Sequence, residues 1–213
     1  MPASRPSNPS PLAQKTDDWF ARAQAALLGQ VPCRAGCSSC CVGPFPITLL
    51  DVRMLQEGLT HLPLNRRERI EDRARAQVFA MEAAYPQLTR SRFLDHWPDT
   101  DIDRLVSHFH QSPCPALEED SLCGLYEYRP LTCRSMGIPT DQANITNGAC
   151  HVQTFIPIVR LSASIRADED ELARQEASAL ERHRLAEDAE GEEVLLPYGF
   201  LPHERTDHMS EGT

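Results

Sequence analysis

The stretch Cys33–Cys41, CRAGCSSCC, governs the reading of the chain. Four of its eight cysteines fall within these nine residues. A hydrophobic core does not call for that density, since Ala or Val would fill the space without the oxidation hazard of a thiol. The spacing points to ligands instead. On a helix, positions 33, 37, 40 and 41 fall on one stripe about 100° wide. Pro32 suits a first helical position and Gly43-Pro44 an exit, whereas Gly36 weakens the helix and keeps a ligand-wrapped loop open. In both forms several sulfurs converge. Cys40 and Cys41 are neighbours whose side chains diverge unless the backbone bends. One of the two is therefore expected at a first site, the other at a second site or as a spare thiol.

The remaining cysteines, Cys114, Cys123, Cys133 and Cys150, follow the looser spacing C-x8-C-x9-C-x16-C. The two groups of four carry weight together. Thiolates are soft ligands that select zinc, copper(I) or iron–sulfur clusters. Four of them close a zinc tetrahedron or hold a cluster.

Composition narrows the alternatives. The chain has 213 residues, 41 % of them hydrophobic, and a net charge of −10. That balance speaks against phosphate-backbone binding, so no nucleic-acid partner is expected. No apolar run reaches the length of a membrane span, and the opening MPASRPSNPSPLAQ lacks the apolar centre of a signal peptide. A cytoplasmic, reducing location is expected, where clustered cysteines are metal ligands before they are disulfides.

The chain reads as mainly α with a small irregular β-containing part, a single cysteine-rich domain stapled by metal. Residues 1–14 and 204–213 are expected to be disordered tails around a domain over 15–203. A first helix begins near Thr16, with Trp19, Ala23, Ala26 and Leu27 as its stripe. A second starts at Thr48 or Asp51 and closes at Gly58. A third is capped by Asn65 with Glu68 and carries Ile70, Ala74, Val78 and Met81 up to Pro86. Thr100 caps a fourth with Ile102, Leu105, Val106 and Phe109 on one face. Cys114–Leu117 and Leu122–Tyr126 form a hairpin around a Glu-Glu-Asp-Ser turn. Phe155–Leu161 reads as a strand, a last helix covers about 165–189, and LLPYGFLPHER is an apolar tail that docks back on the domain.

Together, the CxxxCxxCC element at Cys33–Cys41, Cys114-Pro115 and the run CGLYEYRPLTCR from Cys123 to Arg134 resemble the cysteine-cluster family of zinc- or iron-chelating domains (YkgJ type). The resemblance covers about residues 30–155. It implies metal binding through Cys33, Cys37, Cys40, Cys41, Cys114, Cys123, Cys133 and Cys150, and says little about a reaction. Tyr126, Arg129 and Arg134 are candidate cofactor-binding residues, because guanidinium donors beside anionic sulfur stabilise it and tune its potential. The competing reading makes Tyr126 a core aromatic and pairs the arginines with Glu118, Glu119 or Asp120. His108, His110 and His151 lie near cysteines but are not needed where four thiolates complete a site.

CxxxCxxC also marks radical S-adenosylmethionine enzymes. Here Ser39 stands where an aromatic is usual, and no alternating strands and helices follow. No nucleophile triad or phosphate loop stands out. The functional expectation is a protein that holds an iron–sulfur cluster or zinc in clustered thiolates, serving electron transfer or redox chemistry as an Fe–S-dependent oxidoreductase whose substrate site is not identified. The alternatives are a structural zinc module that meets a protein partner, and a metal-delivery protein.

Overall fold

The computed structural model describes residues 10–27, 36–138, 140–142, 145–147 and 161–202. Among these the protein is mainly helical, with two small antiparallel two-stranded sheets, as the sequence suggests. The order is α1 (Pro11–Ala26), β1 (Pro46–Thr48), α2 (Leu49–Thr60), α3 (Leu64–Ala84), α4 (Asp99–His108), α5 (Leu131–Ser135), β2 (Thr140–Gln142), β3 (Ile145–Asn147), α6 (Ala163–Glu187), β4 (Glu193–Leu195) and α7 (Leu196–Gly199).

Several helix starts differ from expectation, and each has a local cause. α1 begins at Pro11, ahead of the expected Thr16. Ser10 Oγ accepts the N–H of Ala13 at 3.2 Å, and proline at the first position gives up no helical bond. Thr16 lies inside the helix, its hydroxyl donating to Leu12 O at 2.9 Å. α2 opens on Thr48 as expected, with a reciprocal capping box to Asp51. Gly58 does not close α2, which runs on to Thr60. A Cβ at Gly58 would stand 2.6 Å from Tyr128 Cβ, so the missing side chain lets the turn 126–128 approach. α3 starts after Pro63 rather than at an Asn65 cap. Its stripe of Ile70, Ala74, Val78 and Met81 is buried as expected. Likewise α4 starts after Pro98 rather than Thr100, and it buries Leu105.

The main core joins α2, α3, α4, β1, β4 and α7, with Ile47, Leu55, Ile70, Met81, Leu105 and Phe200 at its centre. The apolar tail does more than dock. β4 pairs with β1, Val194 opposite Ile47, and Leu94 N donates to Glu193 O on its other side at 3.0 Å. Gly199 fits against Ile47 and Leu55, where a Cβ would come within 2.7 Å of Ile47 Cδ1. A second cluster forms around Trp19, Ala23, Leu27, Ile138 and Leu161. Trp19 Nε1 locks it by donating to Ile165 O at 2.9 Å. α6 contributes Leu180 as its buried residue, in keeping with its alanine-rich face. The expected strand at 155–161 lies outside the described residues except for Leu161, which is buried. Among the described residues no helix is long and apolar enough to cross a membrane.

Candidate metal centre

The cysteine loop is tied to a distant segment by backbone bonds. Residues 36–41 form turns rather than a helix. Gly36 sits at φ +82° and Gly43 at +77°, both in the left-handed region that glycine enters without strain. Cys41 N donates to Ser38 O at 2.9 Å. That bend meets the condition under which the neighbouring Cys40 and Cys41 need not diverge, and the two thiols influence each other's ionisation. Cys114 N then donates to Cys41 O at 2.8 Å and Gly43 N to Ser112 O at 2.7 Å, laying the loop along residues 112–114. From there the expected hairpin is present in reduced form. Leu117 bridges Cys123, Gly124 N donates to Ala116 O at 2.8 Å, and Ser121 turns the chain at φ 64°. Cys133 arrives from α5.

These connections bring five thiols from three stretches into mutual electrostatic range: Cys40, Cys41, Cys114, Cys123 and Cys133. The six described cysteines are free thiols. Burial pushes Cys114 up to about 12. Burial also raises Cys123 and holds Cys133 well above the ordinary thiol value, with neighbouring thiols adding to the effect. Cys40 moves the other way. The Cys41 thiol beside it, and further off the Arg129 charge, favour its ionised form, so it is the more readily ionised member of that pair. Cys37 stands aside, its Sγ donating to Ser39 Oγ at 3.9 Å. Cys33 and Cys150 lie outside the described residues. Among the described residues no three Cys, His, Asp or Glu side chains already stand in an ion-holding group.

The surroundings suit anionic sulfur. The backbone amides of Ala116 and Leu117 lower the cost of ionising Cys114, and that of Leu125 the cost of ionising Cys123. Such donors favour thiolate over thiol. Two guanidiniums flank the group. Arg129 lowers the cost of ionising Cys40 and Cys123, and Arg73 that of Cys114. Each carries one buried nitrogen, Arg129 Nε and Arg73 Nη2, with no hydrogen-bond partner among the described residues. A buried N–H without an acceptor is costly, and sulfur ligands of a bound centre would supply one. Soft donors, backbone amides that favour thiolate and compensating cations together fit a thiophilic metal.

The three predicted cofactor-binding residues divide. Arg129 serves the thiol group as described. Its guanidinium carbon also lies 3.9 Å from the centroid of the exposed Tyr126 ring, which is therefore not a core aromatic. Arg134 is 3 % exposed and engages Asp17, Arg129 O and Glu127 O. Arg129 also reaches Asp17, at 3.0 Å, so the arginines pair with α1. Glu118 is taken by Arg66 instead, at 3.0 Å.

Sequence reasoning missed Arg73, Asp17 and Asp51 as supports. Arg73 sits beside Ala74 on the edge of the buried stripe of α3, and its Nη1 donates to Leu117 O at 2.8 Å. An arginine adjoining an apolar stripe was the available signal. Asp51 is buried, and Oδ1 accepts Leu131 N, at the start of α5, at 2.8 Å. It thereby fixes the helix that carries Cys133.

The family model CxxCxxCC, described as "Putative zinc- or iron-chelating domain", matches residues 32–151. The match takes in more than half of the chain and every cysteine, and the chain belongs to this family. No curated protein and no solved structure matches the chain.

Proposed function

We propose that this member of a metal-chelating family holds an iron–sulfur cluster through its cysteines and uses it in electron transfer. Cys40, Cys41, Cys114, Cys123 and Cys133 supply sulfur from the described part of the chain, joined by Cys33, Cys37 and Cys150. The observation that carries this reading is the convergence of five thiols from three segments, with Arg73 and Arg129 flanking them. A bound cluster would supply reversible one-electron chemistry. The protein's own part is to ease ionisation of Cys114 and Cys123 with nearby backbone amides, and to balance negative charge with two guanidiniums. Arg134 and Asp17 brace Arg129 by holding its carbonyl and its head group.

A structural zinc ion is the second reading. It is favoured by the loop 36–43 being seated on residues 112–114 through short backbone bonds, an arrangement that a metal staple would secure. The test is anaerobic purification with elemental analysis and visible absorption. Iron and acid-labile sulfide with broad absorption near roughly 400 nm support the cluster. Colourless protein with stoichiometric zinc supports the staple in its place.

A further inference from the structure

Away from the cysteines, α1, α2 and α6 enclose an open cleft of about 700 Å³, a size typical of small-molecule sites. Leu50, Met54 and Leu131 give it an apolar floor, and its rim carries Lys15, Arg53, Arg174 and Arg182 against Glu57 and Glu171. The charges are unevenly committed. Arg174 pairs with Glu171 at 2.9 Å. Lys15 Nζ donates to the neutral Gln175 Oε1 at 2.8 Å. Arg53 and Arg182 have no hydrogen-bond or ion-pair partner among the described residues. A basic rim is the exception on a chain with net charge −10, whose sole lysine stands here.

We propose that this cleft binds a small organic anion. A phosphate or carboxylate group is held by Arg53 and Arg182 with Lys15 beside them, and an apolar body lies on Leu50, Met54 and Leu131. Guanidinium forks match both anions in two-point fashion. Apolar contact below a charged rim selects a ligand with both characters. α1 and α6 lie outside the matched residues 32–151, and the proposal does not rest on the metal reading.

Calorimetric titration of the full chain at low salt tests it, with octyl phosphate, octanoate, inorganic phosphate and octanol as probes. Saturable one-site binding is expected for octyl phosphate or octanoate, and the stronger of the two identifies the head group. Inorganic phosphate and octanol should each bind at least about tenfold more weakly, because each lacks one half of the recognition. Arg53→Ala with Arg182→Ala should weaken binding at least about tenfold, and Arg53→Lys with Arg182→Lys should restore part of it. Should the alanine pair not fold, Arg53→Glu and Arg182→Glu are titrated singly, and each should reduce affinity. The proposal is overturned by no saturable binding of either anion, by octanol binding as tightly as octyl phosphate, or by folded variants binding like the parent.

Discussion

Replacing Asp51 by alanine probes the link between the core and the cysteine centre. Asp51 is 0 % exposed. Its Oδ1 holds Leu131 N at 2.8 Å, and Oδ2 accepts Thr48 N at 3.4 Å to complete the cap of α2. Losing the cap costs about 1 kcal/mol. Leaving the buried Leu131 N–H unpaired costs about 1–3 kcal/mol more. The total of about 2–4 kcal/mol corresponds to about 5–15 °C in the unfolding midpoint of a chain this long. The deficit should depend on pH. Burial raises the carboxyl from 3.8 to about 6. Between those values the folded chain keeps a proton that the unfolded chain has lost. The stability tied to this carboxyl is therefore complete below pH 3.8 and is lost as pH rises through 6. At pH 5 the parent should retain about 1 kcal/mol from this group that it lacks at pH 8. Asp51→Ala should thus cost about 1 kcal/mol more at pH 5 than at pH 8. Thermal unfolding followed by circular dichroism at both pH values reads this directly. A loss below about 1 kcal/mol, or a deficit no larger at pH 5, would refute the reasoning.

Four further outcomes follow from the same structure. Gly58→Ala should destabilise by about 1–3 kcal/mol in urea unfolding, since the new methyl meets Tyr128 Cβ, and it should cost less in a chain that already carries Tyr128→Gly. Arg134→Met should cost about 2–3 kcal/mol by leaving two carbonyls and Asp17 Oδ2 without their donor, and Arg134→Lys should not rescue it because the planar fork is lost. Glu176 is pushed up to about 7, first by burial and then by the Asp51 and Glu193 carboxylates. Its contribution is complete below pH 4.5 and lost as pH rises through 7, so Glu176→Gln should stabilise by about 1 kcal/mol at pH 8, after allowance for solvent screening, and change little at pH 4.5. Cys123→Ser should lower bound metal, measured by elemental analysis, more than Cys37→Ser, because Cys123 lies within the thiol group and Cys37 faces Ser39.

What could be read from sequence was local. The stripe of α3 and the start of α2 depend on residues within a few positions of one another; the stripe stands where expected, and α2 takes Thr48, the first of its two candidate starts. The density at Cys33–Cys41 marked a loop whose Cys41 lies within electrostatic range of Cys114 and Cys123. Long-range pairings were invisible for a physical reason. Asp17 and Arg134 are 117 positions apart, and no spacing rule links them until α1 packs against α5. Glycine misled in its own way. Gly58 reads as a helix stop but is a contact surface for Tyr128. The proline starts of α1, α3 and α4 were overlooked because hydroxyl and amide caps a few residues later competed with them.

The central claim is that sulfur from separate stretches surrounds one inorganic centre. X-ray absorption at the metal edge of anaerobically purified protein measures that shell. A shell of sulfur alone at about 2.3 Å, diminished in Cys123→Ser and Cys133→Ser, is the predicted result. A shell of nitrogen and oxygen, or one unchanged in both variants, would contradict it.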